Sequence, residues 1–171
     1  DDFSGWVKKA PSLEAWGKYK DSAKAYLEAG KRCEKPSWKM HLLHKAARLG
    51  RLNNCAPDVI KSAYAEAVAC GDIKNLPEIT FEYSDVLKRE KKFDEAIAAL
   101  KKLGEVKGID AGKRFRAKWL IAHVYRDGFR DLPKAKQAFA DIKQAGLGNA
   151  KQKKSVDAEI AKLEKRIQAS K

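Results

Sequence analysis

Apolar residues recur along most of this chain at intervals of three and four positions, which is the spacing of one face of an α-helix. No stretch alternates between apolar and polar residues for long enough to predict a β-strand. Ala, Lys, Glu and Leu dominate the composition, and these residue types favour helix. The pattern therefore predicts an all-α protein with about eight helices.

Three of the predicted helices carry a pair of inward-facing residues, four positions apart, at equivalent places. Successive pairs begin 33 and 39 residues apart. Internal periods of about 20–50 residues are typical of solenoids, in which each unit buries its apolar face against its neighbours. The period predicts stacked helical hairpins. The pairs are Ala63 with Ala67, Ala96 with Leu100, and Ala135 with Phe139.

Prolines and serines predict where the helices begin, and glycines such as Gly30 and Gly50 predict where they end. Residues 1–11, which include Pro11, are predicted to form an irregular lead-in. We expect a single helical repeat domain over residues 12–171. Its predicted parts are a capping helix at 12–30, hairpins at about 36–70, 77–106 and 111–145, and a C-terminal capping helix at 150–170.

Two stretches share a more specific pattern. Residues 87–103 read as the end of one helix, a short polar turn with Phe93, and a second helix that starts with a small and a large residue four apart. Residues 125–139 repeat this arrangement. Both stretches resemble the tetratricopeptide repeat, and the second is also similar to the Sel1-like variant, which has a longer turn. The resemblance covers about residues 36–145 and implies a right-handed α-α superhelix, a tetratricopeptide-like solenoid.

This resemblance implies a protein-protein interaction or assembly scaffold that is not an enzyme. In such proteins the first helices of the hairpins line a concave surface, which often clamps an acidic peptide or a C-terminal carboxylate. The expected partner is therefore another protein or an acidic peptide, of unknown identity. From helix position alone, the exposed candidates on this surface are Lys39, Tyr83, Lys88 and Lys118.

The distribution of charge raises a second class of partner. The formal net charge of the chain is +14. Residues 101–171 carry 19 Lys and Arg against 8 Asp and Glu, a net +11. A basic surface of this kind attracts phosphate backbones, anionic lipids or acidic proteins. The alternative function is therefore a basic helical repeat protein that binds nucleic acid.

One basic and aromatic cluster lies in this part of the chain. Its aromatic residues, Phe115 and Trp119, are four positions apart and share one side of a predicted helix. They form either a core stripe flanked by snorkelling cations or part of a surface that follows phosphates and stacks bases. The cations of the cluster are the predicted anionic-ligand patch: Lys113, Arg114, Arg116 and Lys118.

Candidate catalytic and metal-binding residues are few. The chain has no nucleophile elbow, no Gly-rich phosphate loop and no Cys-x-x-Cys pair. His41 and His44 share a helix face and, with Cys33 and Cys55, offer four residues of the two types that bind zinc, although structural zinc sites have tighter spacing. Ordinary helix histidines are the other interpretation, and a Cys33–Cys55 disulfide stays open. We expect no enzyme activity, no metal and no cofactor.

The start of the chain bears on its location. It begins at Asp1 without Met, and a polar start of this kind favours an exported bacterial protein whose signal was removed, with a cytoplasmic protein as the alternative. No apolar run reaches the roughly 18 residues that a membrane span needs.

Overall fold

The computed structural model describes residues 2–170, apart from the side chain of Asn53. Across these residues the chain forms nine α-helices and no β-strand, so the all-α prediction is confirmed. A 3₁₀ turn, Leu52–Asn54, follows the third helix, and a π-helical turn, Val124–Gly128, follows the seventh. The helices are α1 (Phe3–Ala15), α2 (Tyr19–Arg32), α3 (Pro36–Arg51), α4 (Pro57–Cys70), α5 (Leu76–Arg89), α6 (Phe93–Glu105), α7 (Ala111–His123), α8 (Leu132–Gln144) and α9 (Ala150–Ala169).

The N-terminal part of the chain is helical, and the irregular lead-in predicted for residues 1–11 is wrong from its third residue onwards. The carboxylate of Asp2 accepts a hydrogen bond of 2.8 Å from the backbone N–H of Gly5 and caps α1. The helix continues through Pro11, although a proline inside a helix removes one backbone donor. The neighbouring Ala10 is fully buried, so packing against α2 offsets this local cost.

The predicted capping helix at residues 12–30 is in fact parts of two helices, because the chain turns at Gly17 between α1 and α2. Gly17 has a φ of +71°, in the left-handed region that glycine adopts without strain. After this turn, the hydroxyl of Ser22 in α2 donates a buried hydrogen bond of 2.8 Å to the carbonyl of Ala10 in α1. The turn adds one helix to the number expected from the sequence.

Backbone contacts divide the chain into two compact units, residues 2–86 and residues 87–170, with the boundary inside α5. Within each unit, consecutive helices pack against each other. The single repeat domain predicted over residues 12–171 stays a prediction.

The first unit buries the inner faces of α2, α3 and α4. Met40, Leu43 and Ile60 are fully buried at its centre. α2 and α3 end at Arg32 and Arg51, two residues and one residue beyond the ends predicted at Gly30 and Gly50. A Cβ atom at Gly30 would lie 2.9 Å from Leu43 Cδ2, and one at Gly50 would lie 2.9 Å from the Ala56 carbonyl oxygen. These glycines therefore permit close helix approach.

The second unit stacks α6, α7, α8 and α9 in chain order. Phe139 and Ile142 of α8 and Val156 and Leu163 of α9 are buried in its core, with Phe115 of α7. Asn149 begins α9 with a capping box: its side chain accepts from the Gln152 backbone, and the Gln152 side chain accepts from the Asn149 backbone.

The six residues of the recurring pairs are all buried, which confirms that they face inward. Each has 0% of its surface exposed, in the first unit for one pair and in the second unit for the other two. These residues are Ala63, Ala67, Ala96, Leu100, Ala135 and Phe139.

The longer second interval of 39 residues contains the π-helical turn after α7. The backbone N–H of Phe129 donates to the carbonyl of Val124 over 3.1 Å, and that of Asp131 donates to Tyr125 over 2.9 Å. Arg130 takes a φ of +57° between these two bonds. The wide turn therefore places extra residues between the two helices of this hairpin.

Candidate functional site

A groove of about 230 Å³ lies between α6, α7 and α8 of the second unit, and we call it the lysine groove. The residues that line it come from three helices: Lys101 from α6; Lys118, Ile121 and the nearby Tyr125 from α7 and its π turn; and Lys134, Gln137, Ala138 and Asp141 from α8.

Helix periodicity explains why each helix contributes several residues. On α7, Ile121 and Tyr125 follow Lys118 by three and seven positions, so all three share one face. On α8, Gln137 and Asp141 follow Lys134 by the same intervals. Ile121 is buried, and the polar side chains around it are half-buried or exposed. The groove therefore has an apolar base and a polar rim.

The lysine groove carries an excess of positive charge. Neither Lys101 nor Lys118 forms an ion pair with any residue between 2 and 170. Lys134 pairs with Asp131 over 3.0 Å, and the Asp131 carboxylate raises the pKa of this lysine above its usual value. The single carboxylate in the lining, Asp141, accepts a hydrogen bond of 2.8 Å from Gln137. Against this one carboxylate, the ammonium groups of Lys101 and Lys118 leave the groove with a net positive charge that attracts an anion.

The four predicted partner-binding residues have different surroundings. Lys39 forms an ion pair of 2.9 Å with Glu66. Tyr83 stacks on Tyr64, with ring centroids 4.2 Å apart, and both rings are half-buried. These two candidates lie in the first unit, where contacts within the unit occupy them. Lys88, in α5, and Lys118 lie in the second unit, and Lys118 lines the lysine groove.

The predicted anionic-ligand patch lies along α7, but its residues have different surroundings and contacts. The guanidinium of Arg114 donates to the backbone carbonyls of Ile109, over 3.1 Å, and Val106, over 3.4 Å. Phe115 is buried and stacks on Trp119, with centroids 5.7 Å apart, and both belong to the second core. The core-stripe interpretation of these aromatics is therefore correct. Lys113 is half-buried, Arg116 is exposed, and Lys118 reaches the groove.

A second cleft, of about 520 Å³, lies beside the π turn and contains an ion-pair network. Arg126 bonds to Glu159 of α9 over 2.6 Å, to Asp127 over 2.7 Å, and to Nδ1 of His123 over 2.8 Å. Burial, and then the Arg126 charge, hold the pKa of His123 below its usual value. Hydrogen bonds from Arg126 lower the pKa of Asp127. The network ties α7 to α9, and each charge in it has a partner.

The described part of the chain has neither a cluster of metal ligands nor a membrane-spanning helix. Between residues 2 and 170, no group of three or more His, Cys, Asp or Glu side chains is arranged to hold a metal ion. The thiols of Cys33, Cys55 and Cys70 are free, so the Cys33–Cys55 disulfide is not formed. Among the described helices, none combines the length and apolar character needed to cross a membrane.

Sequence reasoning found one residue of the lysine groove, Lys118, and missed Lys101 and Lys134. The three-, four- and seven-residue intervals on α7 and α8 contained a signal for each separate face. Nothing in those intervals indicated that the two faces meet. Comparison of the chain with protein-family models, curated proteins and solved structures found no match.

Proposed function

We propose that the chain is a protein-interaction scaffold whose lysine groove binds an acidic segment of another protein. The observation that carries the proposal is the pair of ammonium groups, Lys101 and Lys118, which line one groove and form no ion pair with a described residue. A carboxylate gains most from a cation that no neighbouring acid already neutralises.

The size of the lysine groove favours a peptide segment over an enclosed small molecule. Its volume of about 230 Å³ is below the roughly 300–1,000 Å³ of typical small-molecule pockets. Such a groove holds two or three side chains of an extended segment. Carboxylates of that segment contact Lys101 and Lys118, and an apolar side chain packs on Ile121 and Tyr125. Binding of this kind weakens as salt rises, because the charges lie near solvent.

For the architecture, we propose a right-handed superhelix of the tetratricopeptide-like class. Two observations support it: consecutive helices pack against each other, and the recurring small-large pairs are fully buried. Small residues such as Ala96 and Ala135 allow helix axes to approach to about 8–10 Å. A crystal structure tests this proposal. Helix pairs that do not repeat with a constant right-handed rotation would overturn it.

A labelled peptide tests the proposed function. The probe is a fluorescein-labelled hexamer of glutamate, titrated with the protein and followed by fluorescence anisotropy. Replacement of Lys118 by Gln weakens binding about three- to tenfold, as does Lys101→Gln, because each removes one charge-assisted contact. Lys154→Gln is the matched control, since it removes one exposed charge of α9 outside the groove. Its effect stays below about twofold.

Two results would refute the groove as the site. One is equal weakening by the groove variants and by Lys154→Gln, which would indicate attraction to net charge alone. The other is a hexamer that does not bind at low salt. A neutral hexamer of Ser and Gly gives the baseline for non-ionic binding.

Nucleic-acid binding is the second candidate, because residues 101–171 carry a net +11 from 19 basic and 8 acidic residues. The described structure offers it less support: Arg114 is bonded to backbone carbonyls, and Phe115 is buried. A duplex DNA titration separates the two functions. Specific phosphate contacts give a log-log salt slope of about −0.9 per neutralised phosphate, and the scaffold proposal predicts weak binding that is lost near physiological salt.

Replacing the cations of the predicted patch by Ala sharpens this comparison. If phosphate contacts drive binding, the quadruple variant flattens the salt slope by several units. If the groove binds acidic peptides, this variant has a lower affinity for the glutamate hexamer, mainly because Lys118 is lost. The substitutions are Lys113→Ala, Arg114→Ala, Arg116→Ala and Lys118→Ala.

A further inference from the structure

A cleft of about 470 Å³, larger than the lysine groove, lies in the first unit. It shares no residue with the lysine groove. We call it the aromatic cleft. It is formed where the start of α1 meets the segment that joins α2 to α3. Its volume lies within the range of about 300–1,000 Å³ in which proteins bind small molecules.

The apolar part of the aromatic cleft consists of Phe3 and Val7 of α1 and Trp38 of α3. Phe3 is 38% exposed and Trp38 is 50% exposed, although both are large aromatic residues. Aromatic rings gain more than any other side chains from burial, since each can remove about 150–250 Å² from water. Two such rings left open around one cavity provide a surface that an apolar ligand covers.

The polar part of the cleft is asymmetric in charge. Arg32, Glu34 and Lys35 line it. Arg32 is already bonded to Glu28. Lys35 has no ion pair with any described residue. Its ammonium group is therefore the cation of the cleft that remains available to an anion.

The backbone around Lys35 strengthens this positive end. Lys35 is the N-cap residue of α3, whose first turn has no acidic residue and no side-chain cap. The positive end of the α3 dipole therefore adds to the ammonium charge, and Glu34, just before the N-cap, is the one carboxylate of the lining that opposes it. Cys33 also lines the cleft, and its buried thiol donates to the carbonyl of Lys35 over 3.6 Å.

We propose that the aromatic cleft binds a small amphipathic monocarboxylate. The apolar chain of the ligand packs on Phe3, Val7 and Trp38, and its carboxylate pairs with Lys35. The Lys35 ammonium pairs with one carboxylate, and Glu34 disfavours a second negative charge on the ligand. The site lies in the first unit and shares no residue with the lysine groove, so the two proposals succeed or fail independently.

Octanoate and its neutral analogue 1-octanol test this proposal by calorimetric titration of the whole chain. Octanoate binds about three- to fivefold more tightly than octanol, the contribution of one exposed ion pair. Lys35→Gln reduces octanoate binding to the level of octanol. The matched control is Lys24→Gln, which removes an exposed charge of α2 outside the cleft and leaves the preference unchanged.

Substitutions of two tryptophans test whether the apolar chain of the ligand packs in the cleft. Trp38→Ala weakens the binding of both ligands at least tenfold, and Trp16→Ala, which changes an exposed residue outside the cleft, has no effect. In ¹H–¹⁵N spectra, octanoate shifts the indole signal of Trp38 and leaves that of Trp16 in place. Far-UV circular dichroism verifies that each variant is folded.

Three results would overturn the proposal. If octanoate does not bind at millimolar concentration, the cleft is not a binding site for such ligands. If octanoate and octanol bind with equal affinity, Lys35 does not pair with the carboxylate. Unchanged affinity in the Trp38→Ala variant, with the protein folded, places binding elsewhere on the chain.

Discussion

Replacing Gly50 by Ala tests the packing of the first unit at its tightest point. The new Cβ atom would lie 2.9 Å from the carbonyl oxygen of Ala56 and 3.1 Å from Cγ1 of Ile60. The Ala56 carbonyl cannot move away easily, because it accepts hydrogen bonds from Val59 and Ile60 at the start of α4. The Gly50 carbonyl is itself bonded to the Ala56 N–H over 3.1 Å.

Two opposing effects set the size of the change. Alanine is a better helix former than glycine by up to about 1 kcal/mol. Forcing a methyl group into a packed site costs about 1–3 kcal/mol, and the cost is high here because the nearest atom belongs to the backbone. The free energy of unfolding of the first unit therefore falls by about 1–2 kcal/mol. For a unit of this size, the unfolding midpoint falls by roughly 5–15 °C.

Gly104→Ala is the matched comparison, because it makes the same chemical change inside α6 with no atom within 4 Å of the new Cβ. The helix-propensity gain then acts alone, and the second unit gains about 0.5–1 kcal/mol. Thermal unfolding followed by circular dichroism gives the overall effect. Hydrogen exchange, resolved by peptide, assigns the loss to α3 and α4 and the gain to α6 and α7.

The opposite signs of the two substitutions are the decisive result. Stabilisation by Gly50→Ala comparable to that by Gly104→Ala would show that α3 does not approach the start of α4 as closely as described.

Two further predictions concern the second unit. Phe139→Ala lowers its free energy of unfolding by about 3–5 kcal/mol in urea titrations, because this fully buried ring has edge contacts with Trp119 at 5.1 Å and His123 at 5.6 Å; a loss below about 1 kcal/mol would contradict it. Burial lowers the pKa of His123 from 6.5, so the folded unit prefers the neutral ring. Its stability is complete above pH 6.5 and falls as pH drops through the lowered pKa; melts of the second unit at several pH values measure this slope, and His123→Phe removes it.

The helices themselves could be predicted because their signals are local. The spacing of apolar residues predicted that Ala63, Ala96 and Ala135 face inward, and each is fully buried. Gly71 ends α4 with a φ of +72°, as a glycine after a periodic stretch predicts. Asp131 caps α8 by accepting from the Lys134 backbone over 2.9 Å. Each of these signals acts within one or two helical turns.

Features that depend on packing could not be predicted. The ends of α2 and α3 lie two residues and one residue beyond the predicted Gly30 and Gly50, and both glycines also let a neighbouring segment approach their bare backbone. Pro11 normally marks a break, but α1 continues through it because Ala10 is buried against α2. At Pro11 a tertiary contact outweighs a local preference, and the sequence alone carries no measure of that contact.

For the lysine groove too, one part could be predicted from the sequence and another could not. From the sequence alone, helical periodicity determined that Lys118, Ile121 and Tyr125 share one face, since residues three, four and seven positions apart lie on one side of a helix. Only the tertiary structure decided that this face meets the Lys134 face of α8 and Lys101 of α6. Periodicity relates residues within one helix, whereas the pairing of faces depends on which apolar surfaces of different helices bury each other best.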